Sequence, residues 1–145
     1  MAVLLLDSTI WLAAKDEGDE AHAACKAVAT TVNHDLAGLD LTLYETANVA
    51  VTKWHNSLAA TEIGAAIHAG VGERLMRMDA TLHANAVALA ATHGLTVYDA
   101  AYVAVSDATG HTLVSLDSDL LAPGFATHPR EIVATPGPEG PTHRV

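Results

Sequence analysis

A chain of 145 residues suits one domain with a substantial core, and a composition that is half apolar and only 17% charged excludes a mainly disordered protein. Seven lysine and arginine residues against 17 aspartate and glutamate residues give a net charge of −10, which excludes a surface that captures nucleic acid by its charge alone. Any contact with nucleic acid must depend on a bound cation or a local basic patch, and the acidic balance predicts a basic partner.

The first predicted element is a buried strand. The apolar run Val3–Leu6 ends at a carboxylate, Asp7, and is too short for a signal peptide or a membrane span. Its length suits a parallel strand that is covered on both faces. A short helix over residues 8–14 follows. The next helix, from residue 19 or 20 to residue 32, contains the only cysteine, Cys25, and a lone cysteine indicates a reducing, cytoplasmic setting.

Two strands and two helices are predicted for the middle of the chain. Residues 36–39 suit a short second strand. Thr42 begins a strong helix, and the apolar residues at helical spacing along it are Leu43, Ala47, Ala50, Val51 and Trp54. A helix over residues 58–69, closed by Gly70, and a strand within residues 71–78 follow.

The last part of the chain contains the second clear strand. Asp79 is the predicted N-cap of a helix over residues 81–93, which Gly94 ends. Another helix covers residues 98–109. Residues 112–116 form an apolar strand that, like the first, ends in a carboxylate, Asp117. A short turn follows, and residues 131–133 are predicted to be an edge strand.

The alternation of strands and helices indicates the fold class. We predict a three-layer α/β/α domain over residues 1–134, with a short parallel sheet of four or five strands between the helices. The remaining residues, 135–145, are rich in proline and glycine and are predicted to be a disordered tail. No association with a membrane is expected.

Four acidic residues occupy positions that the fold should bring together. Asp7 and Asp117 each end a strand, and ligands of open parallel sheets bind beyond the carboxyl ends of the strands. Asp99 lies in the first turn of a helix, where the helix dipole favours a negative charge. Glu45 lies near the start of the Thr42 helix, off its apolar stripe.

Each of these residues also has a purely structural interpretation. Asp7 could cap the first short helix, and Thr42 and Glu45 have the spacing of a capping box. Asp99 could be an ordinary acid of a first helical turn, and Asp117 and Asp119 could both be turn residues. No single position decides between the interpretations, so the prediction of a site rests on the set.

A divalent cation would explain why the acids converge. Carboxylates that lie close together repel each other and raise each other's pKa values. Mg²⁺ prefers oxygen ligands, usually takes one or two direct carboxylates, and can generate a hydroxide nucleophile while it neutralises charge on a phosphate. It also reverses the local potential, which allows a phosphodiester to enter an acidic pocket.

Four segments resemble the PIN domain family, in particular the VapC-type toxins of bacterial toxin–antitoxin pairs. The resemblance covers residue 1 to about residue 134, and its segments are LLLDSTIWLA, LTLYETANVA, LTVYDAAYVAVSDATG and HTLVSLDSDL. The third segment is the most specific. The resemblance implies a metal-dependent endoribonuclease that uses Mg²⁺, or Mn²⁺ as a substitute, and hydrolyses RNA. It also implies a cognate antitoxin as partner and a homodimer.

The resemblance assigns roles to individual residues. Asp7, Asp99 and Asp117 match metal ligands, and Glu45 matches the acid that acts directly or through water. Ser115 matches a hydroxyl that can hydrogen bond the site. Thr9 is a candidate only because it lies near Asp7 in the first segment. Asp119 departs from the family pattern and is an auxiliary candidate.

Other readings of the same residues remain open. Lys53 follows Glu45 by two helical turns, so it is a weak candidate for an RNA contact, although a solvated lysine explains it as well. An aspartyl phosphatase would need a second aspartate where Thr9 stands. A receiver domain would need an acidic pair before the first helix and a late lysine at a strand end, and neither is found. A PIN-like protein without catalysis, which only binds a partner, is the alternative that is not an enzyme.

Overall fold

The computed structural model describes residues 2–134 and contains a parallel four-stranded sheet in the order β3-β2-β1-β4. The strands are β1 Val3–Leu6, β2 Asp35–Leu39, β3 Leu75–Met76 and β4 Thr112–Val114. The helices within these residues are α1 Ser8–Lys15, α2 His22–Ala29, α3 Asp40–Thr52, α4 Ser57–Val71, α5 Ala80–His93, α6 Val97–Thr109, α7 Ser118–Leu121 and α8 Pro129–Ala134.

Two hydrophobic clusters, one on each face of the sheet, produce the three layers. Along β1, side chains alternate between the two faces. Leu4 and Leu6 pack in a cluster with residues of α1, α2 and α4, whereas Leu5 packs with residues of α5 and α6 on the opposite side. The prediction of a three-layer α/β/α fold with a short parallel sheet of four or five strands is therefore confirmed, and the sheet has four.

The pairing of β1 with both neighbours positions the ends of the strands. Leu5 is opposite Ala37 of β2 and Leu113 of β4. The backbone N–H of Asp7 then donates to the carbonyl of Val114 at 3.3 Å, just beyond the last paired residues. The first residue after β1 thus lies beside the end of β4, at the edge of the sheet where a ligand would bind.

Residues 131–133, predicted as an edge strand, belong instead to the helix α8, so that prediction was wrong. Proline is favoured in the first helical turn, where its missing N–H leaves no hydrogen bond unmade, and α8 begins at Pro129. His128 supports this start, because its Nδ1 accepts from the N–H of Arg130 at 3.0 Å.

Several predicted boundaries shift for identifiable reasons. Helix α4 continues through Gly70 to Val71 and is capped by Gly72, whose positive φ of 57° glycine adopts readily. Strand β4 stops at Val114, because the N–H of Ser115 donates to Thr127 and the N–H of Leu116 donates to the Thr9 hydroxyl. The predicted α2 helix is shorter at both ends, covering only His22–Ala29.

Helix α3 begins earlier than predicted and buries a face that only partly overlaps the predicted one, since Leu43, Ala50 and Trp54 do pack in or against the core. It starts at Asp40, directly after β2, and its buried residues are Thr42, Thr46 and Ala50, while Val51 is 48% exposed. Thr46 can be buried because its hydroxyl donates to the carbonyl of Thr42 at 2.9 Å. This burial of threonines, which an apolar pattern does not predict, turns the Glu45 side of α3 toward α6.

Cys25 is a free, buried thiol of α2. Within residues 2–134, no helix combines the length and the apolar character that a membrane crossing needs. The tail predicted for residues 135–145 lies outside the described residues.

Candidate metal centre

Three carboxylates meet at the edge of the sheet where β1 and β4 end. Asp99, Asp117 and Asp119 each offer one oxygen, and these oxygens all lie within 4.8 Å of one another. Among the described residues this is the one such group of three potential metal ligands. We call it the open cluster, because Asp99 and Asp117 are half-buried and Asp119 is exposed.

Two short segments of chain hold the open cluster in place. Asp117 caps α7, since its side chain accepts from the N–H of Asp119 at 2.9 Å. Thr96 caps α6 by accepting from the N–H of Asp99 at 3.1 Å. The structural interpretation of Asp117 is therefore correct, but it does not exclude a place in the open cluster. Capping and a place in the cluster coexist, because the cap hydrogen bond uses Oδ1 and leaves Oδ2 outside it.

The pKa of Asp99 is raised both by burial and by repulsion from a neighbouring acid. Burial, together with the charge of Asp117 and a hydrogen bond with it, raises the pKa of Asp99 to about 6. The charge of Glu45 adds to the effect, and the hydrogen bond with Thr96 opposes it. Without a cation, Asp99 therefore binds a proton more tightly than an isolated aspartate does, as expected of carboxylates assembled for a cation.

Asp7 has a different environment from the open cluster. It is 3% exposed, and its carboxylate accepts hydrogen bonds from the Thr9 N–H at 3.1 Å, the Thr9 hydroxyl, and the Ser115 hydroxyl at 2.5 Å. Burial raises its pKa to about 7, although all of these hydrogen bonds act in the opposite direction. Asp7 also caps α1, as its structural interpretation proposed.

The two hydroxyls that bind Asp7 connect it to the chain that leads to Asp117. The Thr9 hydroxyl accepts from the N–H of Leu116 at 3.0 Å, and the Ser115 hydroxyl accepts from the N–H of Asp117 at 2.9 Å. Asp7 is not one of the three acids of the open cluster. Its hydrogen bonds nevertheless fix the backbone from which Asp117 projects.

Glu45 lies on α3 and faces α6. Its Oε1 accepts a hydrogen bond from the hydroxyl of Tyr102 at 2.6 Å. Burial raises the pKa of Glu45, while hydrogen bonds from Tyr102 and Ser8 oppose that rise. The capping-box interpretation of Thr42 and Glu45 is wrong, because Thr42 lies inside α3 and its hydroxyl contacts Tyr102 instead.

Sequence reasoning missed Tyr102, Thr42 and Ser8 as neighbours of the acids. A signal for Tyr102 was available: it follows Asp99 by three residues, so both lie on the same face of a helix. Lys53, the weak candidate for an RNA contact, is exposed at the C-cap of α3. It follows Glu45 by two turns and is not part of the acid group.

The donor set fits a hard divalent cation. All three ligands of the open cluster are carboxylate oxygens, the type that Mg²⁺ prefers. Oxygens bound to one Mg²⁺ at about 2.1 Å lie at most about 4.2 Å apart, so small side-chain movements would be enough to close the cluster on an ion.

The fold and these acids together define a class, the three-layer α/β/α domains with an acidic site at the carboxyl edge of a parallel sheet. Within that class, residues 4–126 match the family model described as PIN domain, and the chain therefore belongs to the PIN domain family. A search among curated proteins gave no match.

Solved structures show the same fold at low sequence identity. VapC20 of Mycobacterium tuberculosis, described as a sarcin-ricin loop cleaving toxin, has a TM-score of 0.72 at 23% identity over 85% of this chain and 96% of its own. PAE2754 of Pyrobaculum aerophilum has a TM-score of 0.70 at 22% identity, over 91% and 87%. A toxin–antitoxin complex from Klebsiella pneumoniae has a TM-score of 0.64 at 17% identity, over 87% and 97%.

Proposed function

We propose that this protein is a divalent-metal-dependent endoribonuclease that hydrolyses RNA phosphodiester bonds at its acidic site. The observation that carries the proposal is the convergence of Asp99, Asp117 and Asp119 oxygens within 4.8 Å, with the charge of Glu45 acting on Asp99. Membership of the PIN domain family supports a nuclease. The acid types favour Mg²⁺, with Mn²⁺ as a substitute.

The proposed roles follow from the position of each acid. Asp99 and Asp117 hold the cation, with Asp119 as an auxiliary ligand. Asp7 completes the metal site from the buried side, where Thr9 and Ser115 orient it. When bound, the cation would lower the pKa of a water molecule and neutralise charge on the phosphate.

Glu45 is the proposed proton acceptor. Its raised pKa makes it a stronger base than an exposed glutamate, and its carboxylate is oriented by Tyr102. It would take a proton from the attacking water as the water oxygen bonds to phosphorus. The P–O bond to the leaving sugar oxygen then breaks, and that oxygen takes a proton from solvent water. Lys53 is a weaker proposal, as a contact to RNA along α3.

We further propose that the protein is the toxin of a toxin–antitoxin pair and forms a homodimer. The fold is shared with a protein described as a sarcin-ricin loop cleaving toxin and with a chain of a toxin–antitoxin complex. A net charge of −10 and a carboxylate-lined site favour an antitoxin with a basic segment. An arginine or lysine side chain of that segment would pair with carboxylates at the cation's position.

The alternative to an enzyme is a PIN-like protein that only binds a partner. The presence of all four acids, with the pKa of Asp99 raised by burial and by the charge of Asp117, favours catalysis over this alternative. A phosphatase is less well supported, because Thr9 stands where a second aspartate would be needed and its hydroxyl is engaged with Asp7.

Cleavage of RNA by the purified protein tests the proposal. Cleavage should require Mg²⁺ or Mn²⁺, stop with chelator, and be lost in Asp99→Ala, with a decrease of at least about 100-fold. Asp79→Asn is the control, since Asp79, like Asp99, lies at the start of a helix but is outside the cluster. Cleavage that survives chelator, or full activity of Asp99→Ala, would refute the metal-dependent mechanism.

Competition between metal and antitoxin tests the proposed partner. If a basic side chain occupies the cation's position, the affinity of the antitoxin should weaken as Mg²⁺ is raised, and it should weaken less for Asp99→Ala. Titration by calorimetry over a Mg²⁺ series gives both values. An affinity independent of Mg²⁺ and of the four acids would place inhibition at another surface.

A further inference from the structure

A buried hydrogen-bonded bridge joins the helices that carry Glu45 and Asp99. The hydroxyl of Tyr102, on α6, lies 2.6 Å from Oε1 of Glu45 and 2.6 Å from the hydroxyl of Thr42, both on α3. Tyr102 is 1% exposed and Thr42 is 0% exposed, whereas Glu45 is half-buried, so the bridge runs from the core to the acidic site.

The number of protons fixes the direction of this bridge. A carboxylate only accepts, so the single phenolic proton of Tyr102 is donated to Glu45. The Tyr102 oxygen must then accept at its other contact, and the proton between the two hydroxyls comes from Thr42. The result is a directed chain in which Thr42 donates to Tyr102 and Tyr102 donates to the Glu45 carboxylate.

The spacing of the four residues makes the bridge a clamp between two helices. Thr42 and Glu45 are three residues apart on α3, and Asp99 and Tyr102 are three residues apart on α6, so each pair shares a helix face. One hydroxyl of α6 therefore holds two successive turns of α3. That contact sets the position of Glu45, on α3, relative to Asp99, on α6.

We infer that Tyr102, oriented by Thr42, is a positioning residue that fixes the Glu45 carboxylate for the reaction. Its hydroxyl occupies one oxygen of Glu45 and restricts rotation of the carboxylate. The charge of Glu45 acts on Asp99, so the position of this carboxylate also affects the open cluster. The inference rests on the proposed function for its catalytic readout, but not for the contact itself.

A purely structural role would make a different prediction. The ring of Tyr102 packs in the hydrophobic cluster under α5 and α6, and Phe would preserve that packing. If the hydroxyl only satisfied a buried group, its removal would lower the unfolding free energy without changing the rate of cleavage. If it positions Glu45, its removal must affect the rate only while Glu45 is present.

A double-mutant cycle on Tyr102→Phe and Glu45→Gln separates these roles. With saturating Mn²⁺ and single-stranded RNA, Tyr102→Phe should lower kcat about tenfold and change KM less than about twofold, because misplacement of a reacting group affects the chemical step. In the Glu45→Gln background the same change should have no further effect on kcat. Tyr98→Phe is the control, as an exposed tyrosine of the same helix, and should match wild type.

Thr42→Val provides a second variant, which keeps the shape of the side chain and the donation from Tyr102 to Glu45. It should lower kcat by less than Tyr102→Phe does.

Additive effects of Tyr102→Phe and Glu45→Gln on kcat, or an unchanged kcat in both Tyr102→Phe and Thr42→Val, would overturn the inference. The same cycle measured on unfolding free energy should show coupling between Tyr102 and Glu45. Absence of that coupling would also overturn it, whereas a wild-type protein that does not cleave RNA with metal would contradict the proposed function alone.

Discussion

Asp7 and Asp99 lie at the same edge of the sheet, and both have raised pKa values, yet their surroundings differ. Asp7 is buried and accepts hydrogen bonds from two hydroxyls and a backbone N–H. Asp99 is half-buried and lies beside two other carboxylates. Burial is the largest cause of both shifts, but only for Asp99 does the charge of a neighbouring acid follow directly after it.

The difference separates two tasks within one acidic site. Hydrogen bonds hold Asp7 whether or not a cation is present, and they fix the backbone before Asp117. The open cluster has no comparable neutralisation in the described chain, so a cation is what would relieve its repulsion. Removal of the Asp7 carboxylate should therefore weaken the protein through lost hydrogen bonds, whereas removal of a charge from the open cluster should reduce repulsion and stabilise it.

The largest expected effect concerns Asp117 and metal. Asn caps a helix about as well as Asp, so Asp117→Asn removes a charge while it keeps the cap of α7. In chelator the variant should melt at a higher temperature than wild type, because one repulsive charge is absent. With Mn²⁺ the order should reverse, since wild type gains about 2.7 kcal/mol at a hundredfold excess over Kd and the variant gains much less.

Four melting curves decide this prediction, for the two proteins in chelator and in Mn²⁺. If Asp117→Asn is less stable in chelator and Mn²⁺ stabilises both proteins equally, Asp117 acts only as the cap of α7. The comparison between Asp7 and the open cluster would then lose its basis at that position.

The second effect contrasts alanine substitutions of Asp7 and Asp99. Asp7→Ala leaves the Thr9 and Ser115 hydroxyls without their acceptor, and should lower the unfolding free energy by about 2 kcal/mol. Asp99→Ala removes no buried hydrogen-bond acceptor of this kind, so its unfolding free energy should stay close to that of wild type.

Urea denaturation in chelator at about pH 5.5 measures both values. That pH lies below the raised pKa of Asp7, about 7, so the cost of burying its charge is small and the lost hydrogen bonds dominate. Equal losses in the two variants would mean that Asp7 is held no more firmly than the open cluster.

Two similar segments show how far local sequence predicted the site. LTLYE at residues 41–45 and LTVYD at residues 95–99 both place an acid three residues after a threonine. Thr96 is an N-cap, as such spacing indicates, but Thr42 is not, because α3 begins at Asp40 directly after β2. The tertiary connection overrides the local pattern, and Thr42 is free to bind Tyr102.

Strand ends were the part of the site that sequence predicted well. Asp7 and Asp117 follow strands that the apolar runs identified, and parallel pairing brings the ends of those strands together. The position of Asp119 could not be predicted in the same way. It depends on α7, a single helical turn that the sequence indicated only as a turn, and whose cap is Asp117.

A smaller effect, about 1 kcal/mol, is expected at Asp79, an aspartate that caps a helix outside the acidic site. Its side chain accepts from the N–H of Leu82 at 2.8 Å at the start of α5. Asp79→Ala should lower the unfolding free energy by that amount in chelator and in Mn²⁺ alike, and should leave RNA cleavage unchanged. Urea denaturation and a cleavage assay measure the two quantities. A metal-dependent change at Asp79 would show that stability effects at capping aspartates do not report on metal binding.

The smallest effect concerns pH and the charge of Asp99 in metal-free protein. Burial, followed by the charge of Asp117, raises the pKa of Asp99 from an ordinary 3.8 to about 6, so the folded state binds a proton more tightly than the unfolded state. The stability linked to this proton is fully present below pH 3.8 and is lost as the pH rises through about 6. Because Asp99 is half-buried, solvent screening keeps the contribution small.

Asp99→Asn should therefore flatten the fall in unfolding free energy between about pH 4 and pH 6 in chelator, while Asp107→Asn, an exposed position on the same helix, should not. Added KCl should also reduce the fall that Asp99 causes, because salt screens the charge of Asp117. The contribution of Asp7, which has burial as its largest cause and hydroxyl partners, should extend to about pH 7 and respond little to salt. Urea denaturation over a pH series at two salt concentrations measures all of these slopes. If salt affects the two contributions equally, neighbouring charge does not distinguish the open cluster from Asp7, and burial alone accounts for both pKa values.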